Sequence, residues 1–186
     1  MKTMKNTFRK GIALFALVAA FAIIFVGCSK DSSSSNGGGS GPTPPSGDYG
    51  TFTIGSDSYT ITYAGYDCYY DDDEEDYIFT IGFADRVVDD DDNANAFAIS
   101  FLGRETIPTG TFNYVTTEPS STSPEGFLIT EDQHAYYCKD GSVTITKNGS
   151  KYTVTSNANV CDFMGQNDNT FKLNYSGPLT QFEDYK

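Results

Sequence analysis

Tryptophan is absent from the 186 residues, histidine occurs once, and only 12 basic residues stand against 25 acidic ones. Each shortage closes off some chemistry. A single histidine, His134, leaves no zinc site built on two or more imidazoles. No Gly-x-Ser-x-Gly elbow offers a serine nucleophile to it. The scarcity of Lys and Arg removes nucleic acid from the expected partners, because those side chains carry phosphate binding. Neither acid-rich stretch has the Asp-x-Asp-x-Asp-Gly spacing of an EF-hand loop. Beyond the N-terminal segment, no stretch keeps apolar residues at helical spacing for more than two turns. With no catalytic or cofactor motif left, the chain is expected not to be an enzyme and to carry no cofactor, calcium being the one candidate ion.

The N-terminus is better furnished. Lys2, Lys5, Arg9 and Lys10 come first, without an acid, and an apolar run follows from Gly11 to Gly27. Basic residues, an apolar run and a small residue before a cut make the pattern of an export signal. The run falls short of the roughly 20 residues of a comfortable transmembrane helix. Phe25-Val26-Gly27-Cys28 resembles the lipobox of bacterial lipoproteins. That resemblance implies removal of residues 1–27 and lipidation of Cys28, which becomes the new N-terminus. Several acyl chains, at about 0.8 kcal/mol per buried methylene, make such an attachment durable.

Residues 28–47 are dominated by Ser, Gly and Pro, including Ser32 to Ser35, Gly37 to Gly39, Pro42, Pro44 and Pro45. A stretch this poor in apolar side chains does not offset its ordering entropy, so it is expected to be a flexible tether. Its composition resembles lipoproteins of the Bacteroides group. The resemblance implies a membrane partner, through the lipid, at the outer membrane of a bacterial envelope. Ser29 in place of Asp, by similarity to known sorting rules, argues against retention at the inner membrane. Asp31 is the only acid close behind Cys28, which leaves the periplasmic face and the cell surface both open.

Residues 48–186 are long enough for one domain with a real core. Loss of residues 1–27 removes four basic residues and no acid, leaving eight against twenty-five, a formal charge of −17. Tyr, Phe, Thr, Val and Ile alternate with polar residues over short segments separated by turn formers, the signature of half-buried strands. Thr51 to Ile54 with Tyr59 to Tyr63 reads as a hairpin, and Tyr77 to Phe83 and Ala96 to Leu102 read as central strands. Further strands are expected at Thr111 to Val115, Gly126 to Thr130, Ala135 to Tyr137 and Thr170 to Tyr175. The expected fold is all-β, an antiparallel barrel or a two-sheet sandwich of about nine to ten strands. The segments Gly141 to Ile145, Tyr152 to Thr155 and Asn174 to Leu179 are similar to small lipoproteins of the Bacteroides group, some of them lipocalin-like. That similarity implies a barrel whose interior takes a small molecule.

Three cysteines follow Cys28. Asn148-Gly149 is a strong two-residue hairpin signal. Folding about it pairs Ile145 with Tyr152 and Val143 with Val154, and one bulge near Asp140-Gly141 would set Cys138 opposite Cys161. A Cys138–Cys161 disulfide is expected, with Cys68 free. The acid runs supply the candidate calcium ligands, Asp71, Asp72 and Asp73 in one and Asp89, Asp90 and Asp91 in the other. Because a strand joins the runs, they are expected at opposite ends of the sheet. The oxygen-rich segment from Asp162 to Asn169 reads as a turn. Tyr69 and Tyr70, beside the first acid run, and Tyr136 and Tyr137, beside His134, are the candidate ligand-binding aromatics, fit to stack on a sugar ring. The expected function is that of a non-enzymatic envelope lipoprotein, a binding or interaction module for a small molecule, a glycan or a protein. Its alternative is a calcium-binding structural module.

Overall fold

The computed structural model describes residues 49–72, 74–86, 94–117, 119–130, 132, 134–162 and 164–181. The expected signal segment, Cys28 and the tether lie outside the described residues. Eleven strands and no helix make up the rest. They are β1 (Gly50–Ile54), β2 (Asp57–Thr60), β3 (Tyr63–Asp71), β4 (Asp76–Ala84), β5 (Ala96–Leu102), β6 (Gly110–Asn113), β7 (Glu125–Ile129), β8 (Ala135–Asn148), β9 (Lys151–Asp162), β10 (Asn169–Gly177) and β11 (Thr180–Gln181).

All of them belong to one strongly curled, half-barrel sheet in the order β11-β3-β4-β5-β7-β8-β9-β10-β1-β2, with β6 also paired to β8. Pairing is antiparallel throughout, save for the short parallel contact of β11 with β3. The chain itself bridges the two ends of that order. From β2, paired to β1, it passes through Ile61 and Thr62 into β3, paired to β4. At this corner the Ile61 N–H donates to the Gly50 carbonyl at 2.8 Å, and the Thr62 N–H to the Ala84 carbonyl at 3.0 Å.

The strand count exceeds the expectation because this corner begins a separate strand and because the short β11 adds another. The segment expected as one strand from Tyr59 to Tyr63 is divided between β2 and β3. In the other direction, Ala135 to Tyr137 and the first arm of the hairpin fuse into the single 14-residue β8. The hairpin turn itself sits one residue later than expected. Asn148 pairs with Lys151, and Gly149, at φ 62°, and Ser150 make the turn. Ile145 therefore faces Val154 rather than Tyr152, and Val143 faces Ser156. A slip of two residues keeps every side chain on its face, so the core is unaffected.

Strict alternation along β9 and β10 sends Tyr152, Val154, Ala158, Val160, Phe171, Leu173 and Tyr175 inward. Opposite them stand Phe79, Ile81 and Phe83 of β4 and Phe97, Ile99 and Phe101 of β5. The two groups meet in the middle: the Phe97 and Phe171 rings lie 4.2 Å apart, and those of Phe83 and Tyr175 5.1 Å apart. Strands β5 and β10 are far from each other in the sheet order, so these contacts cross the interior. The centre of the curl is packed with aromatic side chains, at odds with the hollow barrel implied by lipocalin likeness. Buried polar groups are satisfied within it, as where the Tyr114 and Ser156 hydroxyls meet at 2.8 Å.

Candidate functional site

With the interior filled, chemistry is left to the outside. Two shallow depressions lie there. One, of about 460 Å³, is lined by His134, Tyr136, Asp162 and Asp168. Its polar groups serve the loop itself. One Asp162 carboxylate oxygen accepts the Met164 and Gln166 N–H groups at 2.9 and 2.8 Å, and the other accepts the Asn167 amide at 2.6 Å. Those bonds, that from Gln166 above all, hold the Asp162 carboxyl below its ordinary range. Asp168 is engaged by Lys139 at 2.9 Å, and His134 lies 3.0 Å from Asp132 on the surface. The expected turn is what forms. A second hollow, over β1, β9 and β10, is lined largely by Thr and Asn side chains.

Of the expected calcium ligands only Asp71 and Asp72 fall among the described residues. Asp71 and Asp72 sit at the mouth of the β3–β4 hairpin, where one Asp71 oxygen caps the Glu74 N–H at 3.1 Å. Asp73, Asp89, Asp90 and Asp91 lie outside the described residues. Among the described residues no group of three His, Cys, Asp or Glu is placed to hold a metal ion.

The four candidate tyrosines are split by strand alternation. Tyr70 and Tyr136 stand on the core side, Tyr70 edge-on to Tyr77 at 5.3 Å and Tyr136 against the core. Tyr69 and Tyr137 stand on the outer side of the same sheet.

The expected disulfide is absent, and Cys68, Cys138 and Cys161 are free thiols. A bulge does form between Cys138 and Asp140, close to where one was expected, but it acts in the opposite sense. The register of the hairpin, continued without interruption, would set Cys138 against Cys161. The bulge moves Cys138 opposite Val160 and leaves Cys161 opposite Tyr137, so the two sulfurs point to opposite faces. Burial pushes the Cys138 thiol far up, and burial with the Asp67 charge raises that of Cys68. Neither is an activated nucleophile.

The outer side of β3, β4, β5, β7 and β8 is the most distinctive surface. Register places Asp67, Thr80, Ser100 and Glu125 in one row across four strands. The Thr80 and Ser100 hydroxyls share a 3.0 Å hydrogen bond, and both residues are buried although they face outward. Burial alone pushes the Glu125 carboxyl up to about 7. The Tyr69 phenol is raised first by burial and then by Asp71, Asp67 and Glu125, which places its ring in reach of both ends of the row. Asp67 and Glu125 are three strand spacings apart, about 14 Å at the backbone. A glycosidic pair of carboxylates stands about 5–10 Å apart.

The next two rows are apolar. One runs Gly65, Gly82, Ala98, Phe127, Tyr137 and the other Tyr63, Ala84, Ala96, Ile129, Ala135. Of this surface the expected residues included only Tyr69 and Tyr137. Thr80, Ser100 and Glu125 come together through the pairing of β5 with β7, which no short spacing announces. One signal was available: in β4 and β5 large residues alternate with Gly, Ala, Ser and Thr rather than with charged ones, the mark of a strand covered on both sides. No protein-family model, curated protein or solved structure matches the chain.

Proposed function

We propose that the protein is an envelope lipoprotein, tethered through a lipid on Cys28, whose domain binds a partner protein on its outer apolar face rather than a ligand in its interior. The observation that carries this reading is the aromatic packing across the curl, Phe97 against Phe171 above all, which leaves the centre without room for cargo. The outer rows are small and apolar in the middle and acidic at one margin. Asp67 and Glu125 flank one side. Apolar surface gathered in one patch with a polar rim is the anatomy of a protein interface. The acid margin suits a segment with an apolar stretch and a basic end, in keeping with the scarcity of basic residues in the domain.

The test is titration of the processed chain, residues 28–186, with a synthetic leucine–alanine peptide flanked by lysines, followed by NMR. Saturable shifts confined to β4, β5 and β7, and weakened by Ala98→Glu, are the expected result. Absence of binding would refute the reading. Shifts produced instead by neutral oligosaccharides and lost in Tyr69→Ala would replace the protein partner with a glycan.

A further inference from the structure

The outer side of the remaining strands differs in kind from the apolar rows. Register sets Thr60, Thr51, Asn174, Thr155, Thr144 and Thr111 in one line across β2, β1, β10, β9, β8 and β6. Two residues along each strand, a second line runs Ser58, Thr53, Lys172, Asn157, Ser142 and Asn113. These twelve positions hold hydroxyls, amides and one ammonium, and no carboxylate, in a chain with 25 acids. Acids do stand outward elsewhere on the sheet, at Asp67 and Glu125. One step beyond the second line comes Asp140, at the bulge, where it accepts the Asn159 amide at 2.8 Å. Neighbours along a line stand about 4.8 Å apart and the lines about 7 Å apart, so the array is about 24 Å wide.

At one end of the array the Thr111 and Thr144 hydroxyls satisfy each other at 2.9 Å. Toward the other, Thr51, Thr53, Thr155, Asn157, Lys172 and Asn174 line the shallow hollow over β1, β9 and β10, of about 430 Å³. Lys172 stands in its middle. Other basic side chains are engaged: Arg86 and Lys139 pair with Asp85 and Asp168, Arg104 donates to the Ser121 carbonyl, and Lys147 lies over the Tyr152 ring. Lys172 has no such partner among the described residues, and its neighbours on the adjoining strands, Thr53 and Asn157, are uncharged.

We propose that this face binds an acidic saccharide, whose carboxylate meets the Lys172 ammonium and whose ring hydroxyls meet the flanking Thr and Asn side chains. A sugar hydroxyl both donates and accepts, as do the Thr and Ser hydroxyls and the two ends of an Asn amide, so each pairing is satisfied in either direction. A neutral sugar gives no reason to keep carboxylates off the face, because they are strong acceptors for its hydroxyls. A negatively charged one does, and it uses the free cation. The acids of the rest of the domain weigh little at this range, since exposed charges more than about 8 Å apart are largely screened at physiological ionic strength. Threonine side chains are stiff at χ1, so the array loses little freedom when it is filled. This face is separate from the apolar rows, so one chain can hold an acidic saccharide and a protein partner at once.

The test is NMR titration of residues 28–186 with an oligogalacturonate, which carries one carboxylate per ring, beside an uncharged malto-oligosaccharide of the same length. Saturable shifts around Thr53, Asn157, Lys172 and Asn174 are the expected result, with the uncharged saccharide binding about tenfold more weakly or less. Lys172→Gln, exposed and still polar, should weaken the acidic saccharide about tenfold. Thr155→Glu should abolish its binding by bringing a like charge to the face, with thermal unfolding confirming that both variants remain folded. No shifts, shifts on another face, equal binding of the uncharged saccharide, or full affinity in a folded Lys172→Gln would each overturn the proposal.

Discussion

Glu125 should make the domain less stable as pH rises, and Glu125→Gln should remove that dependence. Its carboxyl lies in the outer row beside Ser100, and burial pushes it from an ordinary value near 4.5 up to about 7. The folded state therefore holds this proton more tightly than the unfolded chain does. Stability from this group is complete below the unfolded value, near 4.5, and is lost as pH climbs through about 7. At about 1.4 kcal/mol per pH unit, the span from 4.5 to about 7 is worth about 3 kcal/mol. For a domain of this size that is on the order of 10 °C in Tm. A glutamine of the same shape stays neutral throughout. Thermal unfolding of the two proteins, measured from about pH 5 to about pH 8, should show the variant gaining on the parent by most of that 3 kcal/mol. Comparing the pair cancels every other titrating group. A constant gap, or a variant that loses ground toward high pH, would refute the claim that the half-buried Glu125 carboxyl is desolvated and uncompensated.

Other perturbations address the core, the bulge and the thiols. Phe97→Ala, which removes the ring 4.2 Å from Phe171 at the centre of the curl, should cost about 3–5 kcal/mol in denaturant unfolding. A loss below about 1 kcal/mol would mean that the interior is not packed as described. Gly141 holds φ 105° just past the bulge, and a Cβ there would lie 2.2 Å from the Asn157 carbonyl oxygen. Gly141→Ala should cost at least about 1–3 kcal/mol, whereas an unchanged unfolding midpoint would show that the β8–β9 register is freer than it stands. Cys138 and Cys161 should react slowly with thiol reagents in the folded domain and fully after unfolding without reductant, and a Cys138–Cys161 peptide found by mass spectrometry would contradict the register.

Much of the architecture could be read from residue pattern alone, because a half-buried strand writes its own alternation. Thr170 to Tyr175 and Tyr152 to Thr155 were legible for that reason. Turn chemistry was legible to within a residue: Gly149 takes the positive φ, but the turn is Gly149-Ser150, and the partners shift by two. The cysteines show the limit of such reasoning. A bulge near Asp140 was expected, yet whether it joins or separates Cys138 and Cys161 depends on a one-residue difference in register. The outer face was illegible for another reason. Asp67, Thr80, Ser100 and Glu125 are spread over 59 positions in sequence, and only the order of strands makes them a row.

The corner at Ile61 and Thr62 has a mechanical consequence. A chain held from its N-terminal side takes its load at Tyr49 and Gly50, where β1 begins. That strand is bonded along both flanks, to β10 on one side and β2 on the other. Tyr49 adds two clamps of its own, donating to Ile61 and accepting from the Ser176 N–H at 2.8 Å. Tension along β1 must shear two ladders together instead of peeling one bond after another, so the sheet resists a pull at the very point where a tether would apply it.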